Sequence, residues 1–184
     1  YDNSDVISSC RCWYNLIYFG HDPKLVHVLD GGLKKWKKEN KTTNNKKVIT
    51  ETSVYSCKEN TELVKNKKQI DENIDKNDFN VVDARSRERF EGKVAEPRKG
   101  LRSGSIKNSF CLPFGELIND DHTFISKDKI SEKFRSYNFD QDKNLVFSCG
   151  SGVTASVLAL AYSLINDKYK PTIYDGSWSE YGKN

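Results

Sequence analysis

No stretch of this 184-residue chain approaches the roughly 18 to 20 consecutive apolar residues that a membrane-spanning helix needs, so no membrane role is expected. Histidine is scarce, and His21, His27 and His122 are too dispersed to set out a zinc site. The five cysteines, at 10, 12, 57, 111 and 149, form neither an even disulfide framework nor a paired Cys-x-x-Cys metal pattern. No metal is therefore expected. A reducing compartment is: the cytoplasm first, with a mitochondrial address left open. Tyr1 does not read as a native start, so no leader can be judged. Nor does one sign of charge prevail, with 30 basic residues against 26 acidic ones and a net charge of +4. The lysines gather between Lys34 and Lys47 and between Lys65 and Lys68, as a solvated face or linker would have them. A basic stripe with stacking side chains is missing, and nucleic acid is not an expected partner.

Apolar residues make up only 36% and charged residues 30%, a balance that borders on disorder when the apolar residues are scattered. Here they are grouped. Ser8 to Phe19 suits a helix, stopped by Gly20-His21-Asp22-Pro23. Val26 to Leu29 reads as a short strand and is followed by a brief helix through Trp36. Glu39 to Lys47 has a linker's composition. A helix is expected from Thr61 to about Ile74, a buried strand from Phe79 to Val82 ending at Asp83, and loop from Ser86 to Ser109. Asp128 to Tyr137 reads as a helix and Leu145 to Phe147 as a strand. Val153 to Ile165 reads as a helix with Val157, Leu158, Ala161, Leu164 and Ile165 on one face. Thr172 to Tyr174 is the closing strand.

The order repeats. Val28-Leu-Asp-Gly-Gly-Leu-Lys-Lys-Trp36 parallels Ile173-Tyr-Asp-Gly-Ser-Trp-Ser-Glu-Tyr181 about 145 positions later, which argues for a duplicated α/β unit with its first copy truncated. Residues 1–38 are then the end of the first copy, 39–60 a linker, and 61–184 the second copy.

The chemistry concentrates in Cys149-Gly-Ser-Gly-Val-Thr154, between a buried strand and a helix. Gly150 and Gly152 let the backbone curl and turn N–H groups inward as an anion nest. The helix dipole adds its positive end, a setting that stabilises a thiolate or a persulfide. A buried, inert structural thiol is the competing reading of Cys149.

The run from Cys149 to Ala155 resembles the active-site loop of the tandem-domain rhodanese family, in its 3-mercaptopyruvate sulfurtransferase branch. Val81-Val-Asp-Ala-Arg85, Arg89-Phe90, Glu96-Pro97-Arg98, Leu112-Pro-Phe114 and Tyr174-Asp-Gly-Ser-Trp178 match in family order. Phe19-Gly-His21 and Val28-Leu-Asp-Gly-Gly32 resemble the end of the family's non-catalytic first domain. The resemblance implies a rhodanese-like α/β fold with a mainly parallel central sheet flanked by helices. It also implies Cys149 as sulfur-carrying nucleophile, Arg89 and Arg98 as substrate-binding groups, and an active-site loop of Gly150, Gly152, Val153 and Thr154. A guanidinium grips a 2-oxo acid carboxylate bidentately, although either arginine could instead pair with Glu88, Glu91 or Glu96. Ser151 either donates to the substrate carbonyl or is merely small. Asp83 and Arg85 read as a structural ion pair.

Two positions depart from the family pattern. Gly104-Ser105-Ile106 stands where Gly-His-Ile is usual, and Ser8-Ser-Cys-Arg-Cys12 where Ser-Ala-Pro-Arg is common, which opens a redox hypothesis for Cys10 and Cys12. The implied donor is 3-mercaptopyruvate and the implied acceptors are thioredoxin, small thiols or cyanide, without a cofactor. Thiosulfate is the alternative donor, disfavoured because Gly150 and Ser151 are neutral. A phosphatase on the same fold would need an arginine after Thr154, where Ala155, Ser156 and Val157 stand. A non-catalytic binding module is the third reading.

Overall fold

The computed structural model describes residues 1–4, 6–140 and 142–183. Five parallel strands form one sheet: β1 (Val64–Lys65), β2 (Asn80–Asp83), β3 (Phe110–Cys111), β4 (Leu145–Ser148) and β5 (Thr172–Tyr174). Their order is β1-β5-β4-β2-β3, and all the pairings are parallel. Every residue of β2 and β4 is buried, as a parallel sheet covered on both faces requires.

The two-residue period of a strand divides the core. Val82, Phe147 and Ile173 point into one apolar cluster, whereas Val81, Val146 and Tyr174 point into another. Helices α1 (Ser9–Tyr18), α5 (Lys127–Arg135) and α6 (Ala155–Ser163) supply Tyr14, Ile17, Ile130, Phe134 and Leu158 to the first cluster. On the other face α3 (Lys67–Lys76) and α7 (Ser177–Tyr181) bring Ile70 and Trp178. The remaining helices, α2 (Gly32–Lys38) and the single turn α4 (Arg87–Phe90), are more superficial. α1 packs directly on α6, and Tyr14 Oη donates to the Leu63 carbonyl at 2.7 Å. Residues 1–38 therefore share a core with the rest of the chain. Residues 39–60 are exposed throughout and, beyond a turn at 39–40, carry no regular structure.

Several local expectations are corrected. Val26 to Leu29 is not a strand: the Val26 amide turns back to the Pro23 carbonyl. The helix expected from Thr61 divides into a 3-10 turn (Thr61–Leu63), strand β1 and then α3. Asn66 and Gln69 exchange side-chain and backbone hydrogen bonds in a capping box, which starts the helix there and leaves Val64 free to extend the sheet. The loop expected from Ser86 to Ser109 holds α4, one turn being too short to show a period. α6 ends at Ser163 and is buried nearly all round, through Ser156, Val157, Leu158, Ala159 and Ala161. It is sandwiched between the sheet and α1, so its apolar residues do not form one stripe.

Candidate active site

The chain moves outward from β2 to β3, then returns to the other side of β2 as β4. Ligands of open α/β sheets bind beyond the strand C-termini at such a reversal. Asp83 ends β2 there, and Ser148 ends β4, so Cys149 is the first residue of the crevice.

Cys149 is 1% exposed, and it faces a cleft of about 320 Å³ whose wall includes Arg89, Arg98, Ser151, Val153 and Thr154. Gly150 also lines it; Gly152 does not, facing Arg11 and Asp175 on the other side of the loop. The Ser151 amide points at Cys149 Sγ, 3.4 Å away. The expected nest of inward amides is otherwise modified, because the Cys149 and Gly152 amides both donate to Ser177 Oγ at 3.1 Å. Ser177 Oγ donates in turn to the Tyr174 carbonyl at 2.8 Å. Ser177 is fully buried and takes a φ of 48°, an uncommon conformation for a side-chain-bearing residue.

Further bonds from α7 complete the grip on the loop. The Trp178 amide donates to the Cys149 carbonyl and the Ser179 amide to the Gly150 carbonyl, both at 2.9 Å. Ser179 Oγ also donates to the Gly150 carbonyl, at 2.7 Å, and accepts from Arg98 Nη1 at 2.9 Å. Arg98 thereby reaches the loop through one hydroxyl. The sequence alone marks no residue of α7 as part of the site. The only signal there was the Tyr174-Asp-Gly-Ser-Trp178 motif, without a role for Ser177.

Arg89 is tied to the interior. Glu96 accepts from its Nε at 3.2 Å and from its Nη2 at 2.5 Å. The other neighbour of Glu96 is Arg85, whose Nη1 lies at 2.7 Å. Arg85 also grips Asp83 through Nε and Nη2, lies over the Trp178 ring at 4.3 Å and donates to the Gly104 carbonyl at 2.8 Å. The result is an alternating chain of Asp83, Arg85, Glu96 and Arg89. Burial pushes the Glu96 carboxyl up, but hydrogen bonds and charge from Arg89 and Arg85 outweigh it and hold the group below its ordinary value. Of the two arginines, then, Arg89 has an acidic partner. Arg98 has none among the described residues, and the Ser151 hydroxyl makes no hydrogen bond among them.

The cysteines of the first segment do not form a redox pair. Both are free, and residues two apart on α1 point to different sides of the helix. Cys10 is fully buried and Cys12 exposed. Burial, followed by the charges of Asp2 and Asp30, pushes the Cys10 thiol up to about 12.

A rhodanese-like domain matches residues 66–184. The chain belongs to the rhodanese-like family. It is 37% identical over 183 residues to the 3-mercaptopyruvate sulfurtransferase of Mus musculus, covering 98% of this chain and 61% of that protein. Against the thiosulfate/3-mercaptopyruvate sulfurtransferase 1, mitochondrial, of Arabidopsis thaliana the identity is 32%, with 98% and 52% covered. The crystal structure of SseA from Escherichia coli, a 3-mercaptopyruvate sulfotransferase, superposes with a TM-score of 0.80 at 30% identity, covering 98% of this chain and 66% of that one. The chain thus spans between about half and two thirds of the length of these relatives.

Proposed function

We propose that this chain carries the catalytic unit of a sulfurtransferase that takes sulfur from 3-mercaptopyruvate. The observation that carries this reading is the placing of the Cys149 thiol in one cleft with Arg89 and Arg98, beside a loop whose own side chains are uncharged.

The donor carboxylate sits between the two guanidiniums, Arg98 with no acidic partner of its own among the described residues and Arg89 held by Glu96. The Cys149 thiolate attacks the donor sulfur, forming an S–S bond as the C–S bond breaks. The electron pair leaves with the three-carbon fragment as the pyruvate enolate, which then takes up a proton. Arginine charge and the Ser151 hydroxyl stabilise the developing oxyanion. In the second half, an acceptor thiolate attacks the outer sulfur of the Cys149 persulfide and regenerates the thiolate. Thioredoxin and small thiols suit that step, as does cyanide. Covalent catalysis of this kind gives ping-pong kinetics.

Thiosulfate is the second donor to consider, since two guanidiniums also suit a dianion, and the name of the plant relative includes it. The neutral Gly150 and Ser151 beside the thiol favour the monoanionic donor. Steady-state kinetics with both donors and a common acceptor decide between them. The expected result is parallel double-reciprocal lines and a larger kcat/KM for 3-mercaptopyruvate; a larger value for thiosulfate reverses the assignment.

A further inference from the structure

Gly152 is held at both of its peptide groups. Its amide donates to Ser177 Oγ, and its carbonyl accepts from Ser156 Oγ at 3.0 Å. A second donor reaches that carbonyl from outside the 61–184 unit: Arg11 Nη1, on α1, at 3.4 Å. The same nitrogen lies 2.5 Å from Asp175 Oδ1, just beyond β5. An added Cβ on Gly152 would stand 2.6 Å from Arg11 Nη1 and 2.7 Å from Asp175 Oδ1. The ion pair therefore occupies the space a side chain would need, against a backbone whose φ of 79° favours glycine. Arg11 is steadied from below by the Tyr14 ring, 5.6 Å from its guanidinium carbon.

Stability alone gives little reason for the contact. The two side chains are 27% and 48% exposed, and pairs this open to solvent contribute little to folding. Its geometry bears instead on the loop. The turn at Gly152 follows directly on Ser151, whose amide is aimed at Cys149 Sγ, so a shift of the Gly152 peptide swings that donor away from the sulfur.

We propose that Arg11, paired with Asp175, is a positioning residue for the 149–154 loop, so that sulfur transfer in the second unit depends on a side chain supplied by the first segment. The proposal rests on the reaction assigned to Cys149, and it adds that residues 1–38 take part in it. Val6, from the same segment, lines the cleft itself.

The test compares the full chain with Arg11→Ala, Asp175→Asn, the double variant and Arg11→Lys. Two readouts are followed alongside thermal stability: amide hydrogen exchange of the peptide covering 149–154, and the rate of sulfur loading onto Cys149 from 3-mercaptopyruvate. In Arg11→Ala the loop exchanges about ten-fold faster while peptides from β2 and α5 are unchanged, and kcat for loading falls about ten-fold with KM within about two-fold. Asp175→Asn has the same effect, and the double variant is no slower than either single one. Arg11→Lys recovers part of the rate, since an ammonium keeps the ion pair but loses the planar fork. Unchanged loop exchange together with unchanged loading in Arg11→Ala overturns the proposal. Should the unaltered chain take up no sulfur, the assigned reaction fails, and exchange alone decides: faster loop exchange upholds the positioning role, and unchanged exchange removes it.

Discussion

Cys10 lies in the first turn of α1 and Cys149 opens the loop that leads into α6; these two helices lie against each other, and both of these cysteines are buried. Around Cys10 the surroundings are acidic and closed. Asp2 uses one carboxylate oxygen to accept from the Ser9 amide at the start of α1 and the other to accept from the Ser4 amide. The thiol packs among Ile7 and Val157. The start of α6 carries no side-chain cap, and the space in front of its loop is a cleft walled by two arginines. Burial therefore does not separate the thiol proposed to carry sulfur from the other one. The two places differ in whether a carboxylate of the chain already accepts from the start of the helix, and in which charged residues line the space around the thiol.

The sharpest way to break this contrast is to remove each thiol in turn. Cys149→Ser is expected to lower sulfur transfer by about a thousand-fold or more, as loss of a covalent nucleophile does. Cys10→Ser should leave transfer within about two-fold, its cost appearing in stability because the hydroxyl enters an apolar cluster. Comparable losses of rate in both variants would erase the difference between the segments.

A smaller effect is expected from Glu96→Gln, which removes the anion that ties Arg89 to Arg85. Arg85 keeps Asp83 and Arg89 is partly open to solvent, so the cost is that of the lost charged hydrogen bonds, about 2 kcal/mol, and kcat/KM falls about ten-fold as Arg89 loses its anchor. Because the folded Glu96 carboxyl titrates below its ordinary 4.5, its contribution is fully present above that pH and is lost as pH falls through the folded value. Urea midpoints measured from pH 6 to 3 should therefore drop more steeply for the unaltered chain than for Glu96→Gln. Identical acid limbs would show that Glu96 is not held by the two arginines.

Smallest of all are the effects at the remaining thiols. Burial, with the Asp83 charge next, pushes the Cys111 thiol up to about 12, as it does Cys10. Both therefore stay protonated at pH 8. Iodoacetamide should label the exposed Cys12 and Cys57 and spare Cys10 and Cys111 until denaturant is added, with peptide mapping as the readout. Labelling of Cys10 under native conditions would mean that the first segment opens.

Much of this was legible from residues alone. The runs Val81-Val-Asp83 and Leu145-Val-Phe147 announce buried strands, and a cysteine followed by Gly-Ser-Gly at a strand end marks the loop that lines the cleft. Short elements were not legible. β1 and β3 have two residues each, too few for a period of two to show, and a capping box relocated the start of α3. The partners of the loop were hidden for a different reason. Ser177 lies 28 positions from Cys149, and Arg11 lies 141 from Gly152. Contacts at such distances leave no local pattern in the sequence, since they depend on the sheet order that brings the ends of β4 and β5 together.

The central claim is that Cys149 carries the sulfur and that 3-mercaptopyruvate supplies it. Intact-mass and peptide mapping after brief exposure to 3-mercaptopyruvate, and separately to thiosulfate, test it most directly. The account predicts one added sulfur atom on the peptide containing Cys149 with the first donor and little with the second. Added sulfur on another cysteine, or none from either donor, would contradict it.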